Sequence, residues 1–263
     1  MILNFFKYQG TGNDFVIIDN RDQHFDSSNI KLVNFLCDRR FGVGADGLML
    51  LENDKTTAFK MRYFNSDGRE ATMCGNGGRC IAAFAVQQKV VTDPSNFIFT
   101  AVDGLHEAAY KEGIVSLKMT NIKNITTGND YYFLDTGSPH HVTFVKNIET
   151  TDVYSQGKEI RLSKAYEPEG TNVNFVEIIS NKEISVRTFE RGVEDETYSC
   201  GTGVVASAIS TSLKNGSGTD FHINIKGGKL NVSFEPIKGT QVNNIWLKGP
   251  ATFVFKGTID VNI

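Results

Sequence analysis

Two cysteines and their glycine-rich surroundings carry the chemistry open to this sequence. Cys74-Gly75-Asn76-Gly77 and Cys200-Gly201-Thr202-Gly203 each set a thiol just ahead of a helical segment, with glycines that leave backbone N–H groups bare. The start of a helix favours anions, because orphan N–H groups and the macrodipole point there. A thiol at that position is biased toward thiolate, with a pKa that can fall from about 8.5 into the range of roughly 3.5–7.5. A substrate carboxylate can dock on the same N–H groups. One thiolate and one thiol flanking a bound carboxylate suit removal of a proton from the adjacent carbon on one face and its return on the other. The helix starts would stabilise the carbanion as its charge spreads into the carboxylate. A lone cysteine at a helix start is more often a small apolar residue. The second copy is what moves the balance toward function.

The two copies also define the elements that must position them. The cysteines stand 126 positions apart (200 − 74). Downstream, Gly104-Leu-His-Glu-Ala-Ala-Tyr110 resembles Gly228-Lys-Leu-Asn-Val-Ser-Phe234, 124 positions on (228 − 104). Two nearly equal offsets predict a duplicated unit of strand, turn, Cys-Gly-x-Gly, buried helix and hairpin, the copies facing each other across a cleft. Gly10-Thr-Gly-Asn-Asp-Phe15 echoes Gly170-Thr-Asn-Val-Asn-Phe175 at 160 (170 − 10), which does not fit; it is set down to coincidence or a large deletion. Runs rich in β-branched and aromatic residues predict strands near 1–8, 15–18, 59–64, 96–102, 114–119, 174–179 and 184–189. Ser27-Ser28 reads as the cap of a helix whose Leu32, Val33, Leu36 and Cys37 share a face. Helices from Ile81 and from Val204, the latter ended by Gly216, are apolar nearly all round and predict burial on every side. The polar stretch 121–130 is the expected domain boundary.

Length and composition exclude other classes. A chain of 263 residues suggests two domains and a sizeable core. Lys+Arg 27 against Asp+Glu 30 gives −3, which offers no footprint for nucleic acid or an anionic membrane. No apolar run approaches the roughly 18 residues of a bilayer span, and a cytoplasmic location is expected. Four cysteines without a CxxC pair make a disulfide framework the wrong default. No His or Cys stands at zinc-ligand spacing beside Cys74 and Cys80, so no metal is expected; Cys37 and Cys80 read as core. Gly10-Thr-Gly-Asn-Asp14 and Gly42-Val-Gly-Ala-Asp-Gly47 are not nucleotide fingerprints; they read as tight turns, or as loops bringing Asn13 to a cleft. Ser138-Pro139-His140-His141 is placed between strands. Glu190-Arg191, where a strand ends, could clamp a zwitterion, Arg191 on a carboxylate and Glu190 on an ammonium.

Taken together, Gly10-Thr-Gly-Asn-Asp-Phe15, Arg40-Phe-Gly-Val-Gly-Ala-Asp-Gly47, Phe64-Asn-Ser-Asp-Gly68, Met73-Cys-Gly-Asn-Gly77, Gly137-Ser-Pro-His140, Glu190-Arg-Gly192 and Ser199-Cys-Gly-Thr-Gly203 resemble the diaminopimelate epimerase family, in its order and over nearly the whole chain. The resemblance implies a mixed α/β fold of two pseudo-symmetric domains, each a mostly antiparallel sheet wrapped round a central helix. They would comprise residues 1–120 with a returning strand at 251–263, and residues 121–250. It implies inversion of one α-carbon of LL-2,6-diaminopimelate to the meso form, for lysine and cell-wall synthesis, with no cofactor, no metal and a homodimer. Carried over by motif, Cys74 and Cys200 are the two bases. Asn13, Asn65, Asn172, Glu190 and Arg191 hold the substrate, Gly75-Asn76 and Gly201-Thr202 bind the reacting carboxylate, and His140 and Glu190 tune the thiols. Ser138 stands where many members carry Asn, and Gly47 where some carry Gln, so a backbone contact or none is expected at 47. Proline-type racemases, which resemble this fold, carry His where Asn76 stands. Histidine racemases remain an alternative given Ser138, as does a non-catalytic amino-acid-binding protein, which would not need both cysteines.

Overall fold

The first hairpin is set by Thr11 and Gly12, whose φ angles are 52° and 89°. Two consecutive left-handed residues make the two-residue turn whose twist matches antiparallel strands. β1 (Ile2–Gly10) therefore folds directly onto β2 (Asn13–Asp19), with Gly10 opposite Asn13. In the computed structural model, which describes residues 1–216 and 218–261, these strands open the first of two compact units, Met1–Leu117 with Gly249–Ile263; the second is Lys118–Lys248.

In the first unit, α1 (Ile30–Cys37) carries the chain from β2 to the parallel strand β3 (Gly47–Glu52). β4 (Lys60–Asn65) returns antiparallel, and the short β5 (Glu70–Ala71) pairs back on it. Then come α2 (Gly75–Gln87), the hairpin of β6 (Phe97–Ala101) and β7 (Gly104–Lys111), and β8 (Ile114–Lys118). A C-terminal strand (Thr252–Asp260) lies antiparallel on β1. α2 packs against β1, β2, β3, β7 and this last strand, and residues 75–85 are all buried. Ile81 and Phe84 are fully buried, each worth about 1.5–3 kcal/mol. On the other face of β2 and β3, Val16, Ile18, Leu48 and Leu50 meet Leu32, Val33 and Leu36 of α1. Burial on both faces explains why these strands read as continuous apolar runs.

The second unit repeats this order. β9 (Ile125–Thr127), β10 (Tyr131–Asp135) and β11 (Pro139–Phe144) are antiparallel neighbours. α3 (Val153–Arg161) crosses to the parallel β12 (Asn172–Ser180), β13 (Glu183–Glu190) returns, and the short β14 (Asp195–Thr197) pairs back. α4 (Gly201–Asn215) follows, then the hairpin of β15 (Asp220–Ile225) and β16 (Gly228–Ser233), and β17 (Trp246–Pro250), whose last two residues, Gly249 and Pro250, belong to the first unit. α4 packs against β10, β11, β12, β13, β15 and β16, and Gly216 ends it at φ 68°.

Each unit is thus a mixed sheet around one buried helix, the expected fold class. The Gly10 turn precedes β2, whereas Gly170 precedes β12, the counterpart of β3; the echo at 160 is coincidence. Four local expectations are corrected. Asn29, not Ser27 or Ser28, caps α1: its side chain accepts Leu32 N–H, while Ser28 is bound to Asp26. The buried helices begin at Gly75 and Gly201, because the glycines themselves take helical positions. His140 and His141 lie within β11, since Pro139 opens that strand without having to donate a ladder bond. The final strand is Thr252–Asp260 rather than 251–263, and Asn262 and Ile263 lie outside the described residues. Among the described residues no helix is long and apolar enough to cross a membrane.

Candidate active site

In the first unit the β1–β2 turn and the start of α2 bring Asn13, Cys74 and Asn76 together. Cys74 is the N-cap of α2, with extended backbone (φ −90°, ψ 135°) and its carbonyl bonded by Gly78 N–H (2.7 Å). Its Sγ lies 3.7 Å from Asn13 Oδ1. Asn13 Nδ2 donates to Asp46 (2.7 Å), and Asn76 Nδ2 donates to Asn13 Oδ1 (3.2 Å). Asn76 Oδ1 in turn accepts from Arg79 (3.0 Å), whose guanidinium is fully buried and also donates to Gly75 O, Thr11 Oγ1 and Pro250 O. Asn76 is 1% exposed, and both ends of its side-chain amide are engaged in this network. The glycine that follows the motif serves packing. A Cβ on Gly78 would sit 2.8 Å from Met73 Sδ and 2.9 Å from Leu117 Cδ2.

Asn65 ends β4 opposite Gly47, and its side chain is exposed. Gly47 is required by sterics: a Cβ there would lie 2.6 Å from Phe64 O and 2.6 Å from the Tyr63 ring. Burial pushes the Cys37 and Cys80 thiols up to about 12, so both are inert core.

In the second unit a larger polar cluster surrounds Cys200, the N-cap of α4 (φ −121°, ψ 106°). Its Sγ is 3.5 Å from Thr202 Oγ1, which is 3.4 Å from Ser138 Oγ. Ser138 Oγ also meets His140 Nε2 (3.1 Å) and Asn172 Nδ2 (3.1 Å). Burial first, and the Arg191 charge second, push His140 down from 6.5 to about 3, so it is a neutral imidazole at pH 7. Asn172, expected to hold substrate, is 4% exposed and braces the scaffold: it donates to Pro139 O (3.1 Å) and accepts Arg191 N–H (2.8 Å). Among the described residues the Arg191 guanidinium makes long contacts to Glu169 O (3.4 Å) and Gly170 O (3.5 Å). Glu190 ends β13 beside it. Sequence reasoning missed Asn174, Asp46 and Arg79. A polar residue inside an apolar run, as Asn174 is in β12 and Arg79 in α2, was the available signal. Among the described residues no group of three or more His, Cys, Asp or Glu could hold a metal ion.

A diaminopimelate epimerase family model matches residues 5–119 and 132–254. A curated diaminopimelate epimerase from Flavobacterium psychrophilum is 52% identical over 259 residues, covering 98% of this chain and 100% of that one. Another, from Chlorobaculum tepidum, is 42% identical, covering 95% and 98%. Among solved structures, a PhzF-family phenazine biosynthesis protein from Bacillus anthracis superposes with a TM-score of 0.76 at 14% identity, covering 99% of this chain and 100% of that one. A hydroxyproline epimerase from Agrobacterium vitis gives 0.70 at 14%, covering 98% and 92%. Those two share the fold alone. By the family model and by identity over nearly its whole length, the chain belongs to the diaminopimelate epimerase family.

Proposed function

We propose that this protein inverts one α-carbon of LL-2,6-diaminopimelate to give meso-diaminopimelate, without a cofactor, in the supply of lysine and cell-wall precursors. The observation that carries the mechanism is the placement of Cys74 and Cys200 at the N-caps of two buried helices in equivalent positions of a repeated fold. Inversion needs a base on one face of the carbon and an acid on the other, and a thiolate and a thiol supply them. The backbone N–H groups at the two helix starts, Gly75-Asn76 and Gly201-Thr202, bind the reacting carboxylate and stabilise charge developing on it. Arg191 and Glu190 bind the distal carboxylate and ammonium, Asn13 and Asn65 line the site, and Asn172 acts through the groups it braces. His140 and Glu190 tune Cys200.

Incubation of the purified protein with LL-diaminopimelate, histidine, proline and lysine, followed by chiral chromatography, tests this. Meso-diaminopimelate should form, with the other amino acids inverted poorly. Turnover of lysine or histidine at the rate of LL-diaminopimelate would overturn the substrate assignment.

A further inference from the structure

Arg79 is a fully buried cation in one of the two central helices, and its counterpart in the other is apolar. It stands five residues after Cys74 (79 − 74), and Val205, also fully buried, stands five after Cys200 (205 − 200). The repeated fold fills this position with a guanidinium in one copy and a valine in the other. Around Cys200 the buried polar neighbours are neutral: Asn174 Nδ2 faces His140 Nδ1 at 3.0 Å and donates to His141 O at 3.1 Å. Packing therefore does not call for a charge at this place. Taking an ion out of water is costly, and an apolar replacement is often neutral or stabilising. A charge kept in spite of that points to function.

Among the described residues every hydrogen-bond partner of the guanidinium is a neutral oxygen: Gly75 O (3.2 Å), Asn76 Oδ1 (3.0 Å), Thr11 Oγ1 (3.2 Å) and Pro250 O (3.4 Å). Gly10 leaves room for it, since a Cβ there would lie 3.3 Å from Arg79 Nη2. Burial pushes Arg79 down from its ordinary value, with the Cys80 and Cys74 thiols acting in the opposite sense; an arginine still keeps its proton. Two of its bonds reach groups of the proposed substrate site. Gly75 O belongs to the same peptide unit as the Asn76 N–H, so a cation on that carbonyl polarises the N–H. Asn76 Oδ1 belongs to the amide whose Nδ2 donates to Asn13 Oδ1 (3.2 Å), so the same pull reaches Asn13.

We propose that Arg79 is a positioning residue whose fixed charge, acting through the Gly75–Asn76 peptide and the Asn76 amide, draws the reacting carboxylate to the head of α2 and strengthens its hold as negative charge develops. The proposal rests on the function given above and deepens it. No bond to Arg79 is made or broken.

The test compares an anionic with a neutral alkylating reagent. Iodoacetate and iodoacetamide are both attacked by the thiolate, which forms a C–S bond and expels iodide. The ratio of their rates at one cysteine therefore cancels the thiolate fraction and reads the local pull on a carboxylate. Rates at Cys74 and Cys200 are followed by peptide mass mapping in wild type, Arg79→Lys, Arg79→Gln and Arg79→Met. The iodoacetate-to-iodoacetamide ratio at Cys74 should fall on the order of tenfold in Arg79→Gln and Arg79→Met. Arg79→Lys, which keeps the charge without the fork, should retain most of it, and the ratio at Cys200 should stay in place throughout. Steady-state kinetics with LL-diaminopimelate should follow the same order, kcat/KM falling at least about tenfold in the two uncharged variants. A residue that only packs would slow both reagents together, and lysine would serve no better than glutamine. An unchanged Cys74 ratio in Arg79→Gln, or equal losses in Arg79→Lys and Arg79→Gln, would overturn the proposal. If Arg79→Met does not fold, the other two variants decide. The alkylation ratio needs no turnover. A charge effect at Cys74 in a protein that leaves LL-diaminopimelate unchanged would thus mark failure of the proposed function, not of the electrostatic role.

Discussion

Gly203 shows how narrowly Cys200 and its polar neighbours are held. A Cβ there would lie 2.4 Å from Asn174 Oδ1 and 3.3 Å from Cys200 Sγ. Gly203→Ala should therefore displace Asn174 and with it His140. An overpacking cost of about 1–3 kcal/mol is expected in urea unfolding, and a loss of kcat on the order of 100-fold from misplacement. Near-wild-type kcat would mean that the Asn174–His140 pair does not position the sulfur. Among the described residues Arg191 makes long carbonyl contacts at 3.4 and 3.5 Å, and its proposed role is to hold the distal carboxylate. Arg191→Ala should raise KM strongly and lower kcat as well, because remote binding energy positions the reacting carbon. Steady-state kinetics with LL-diaminopimelate check this, and an unchanged KM would remove Arg191 from the substrate clamp.

At the scale of elements, β11 buries two histidines in succession. Burial pushes His140 to about 3 and His141 to about 4, from an ordinary 6.5. Below pH 6.5 the unfolded chain binds protons that the folded strand refuses. Stability is thus full above 6.5 and falls with pH down to about 4 and then 3, by up to about 1.4 kcal/mol per pH unit per histidine. Urea midpoints measured from pH 7 to 4.5 should show this slope, and His140→Gln should flatten it; an equal slope in the variant would contradict the buried neutral state.

β11 is also where the sequence was least legible. Pro139 and two adjacent histidines look like a loop, and only pairing with β10 and β12 makes them a strand. By contrast α2 and α4 were plain in the sequence, because helices buried on every side leave unbroken apolar runs. Asn76 and Asn172 were visible as candidate site residues, but not the direction of their side chains. Arg79, buried three residues further along α2, sets the direction of Asn76, and backbone groups at 139 and 191, far from it in sequence, set that of Asn172.

For the whole molecule, two copies of one plan each supply a thiol at a helix start. That duplication was legible because cysteines and hairpins recur at nearly one spacing. Cys74→Ala and Cys200→Ala should each remove nearly all epimerisation, and the double variant should be scarcely worse, since the pair acts as a unit. Cys37→Ala and Cys80→Ser, at buried inert thiols, should cost stability and leave the mechanism intact. The central claim, proton transfer through two separate sulfurs, is tested most directly by isotope incorporation. LL-Diaminopimelate is converted in D₂O and stopped at low conversion, and deuterium at the α-carbon is measured in product and in recovered substrate. The delivering thiol will have exchanged with solvent before it acts, so the meso product should carry deuterium while recovered LL substrate stays nearly unlabelled. Equal early labelling of substrate and product, or product that retains the abstracted hydrogen, would contradict two bases.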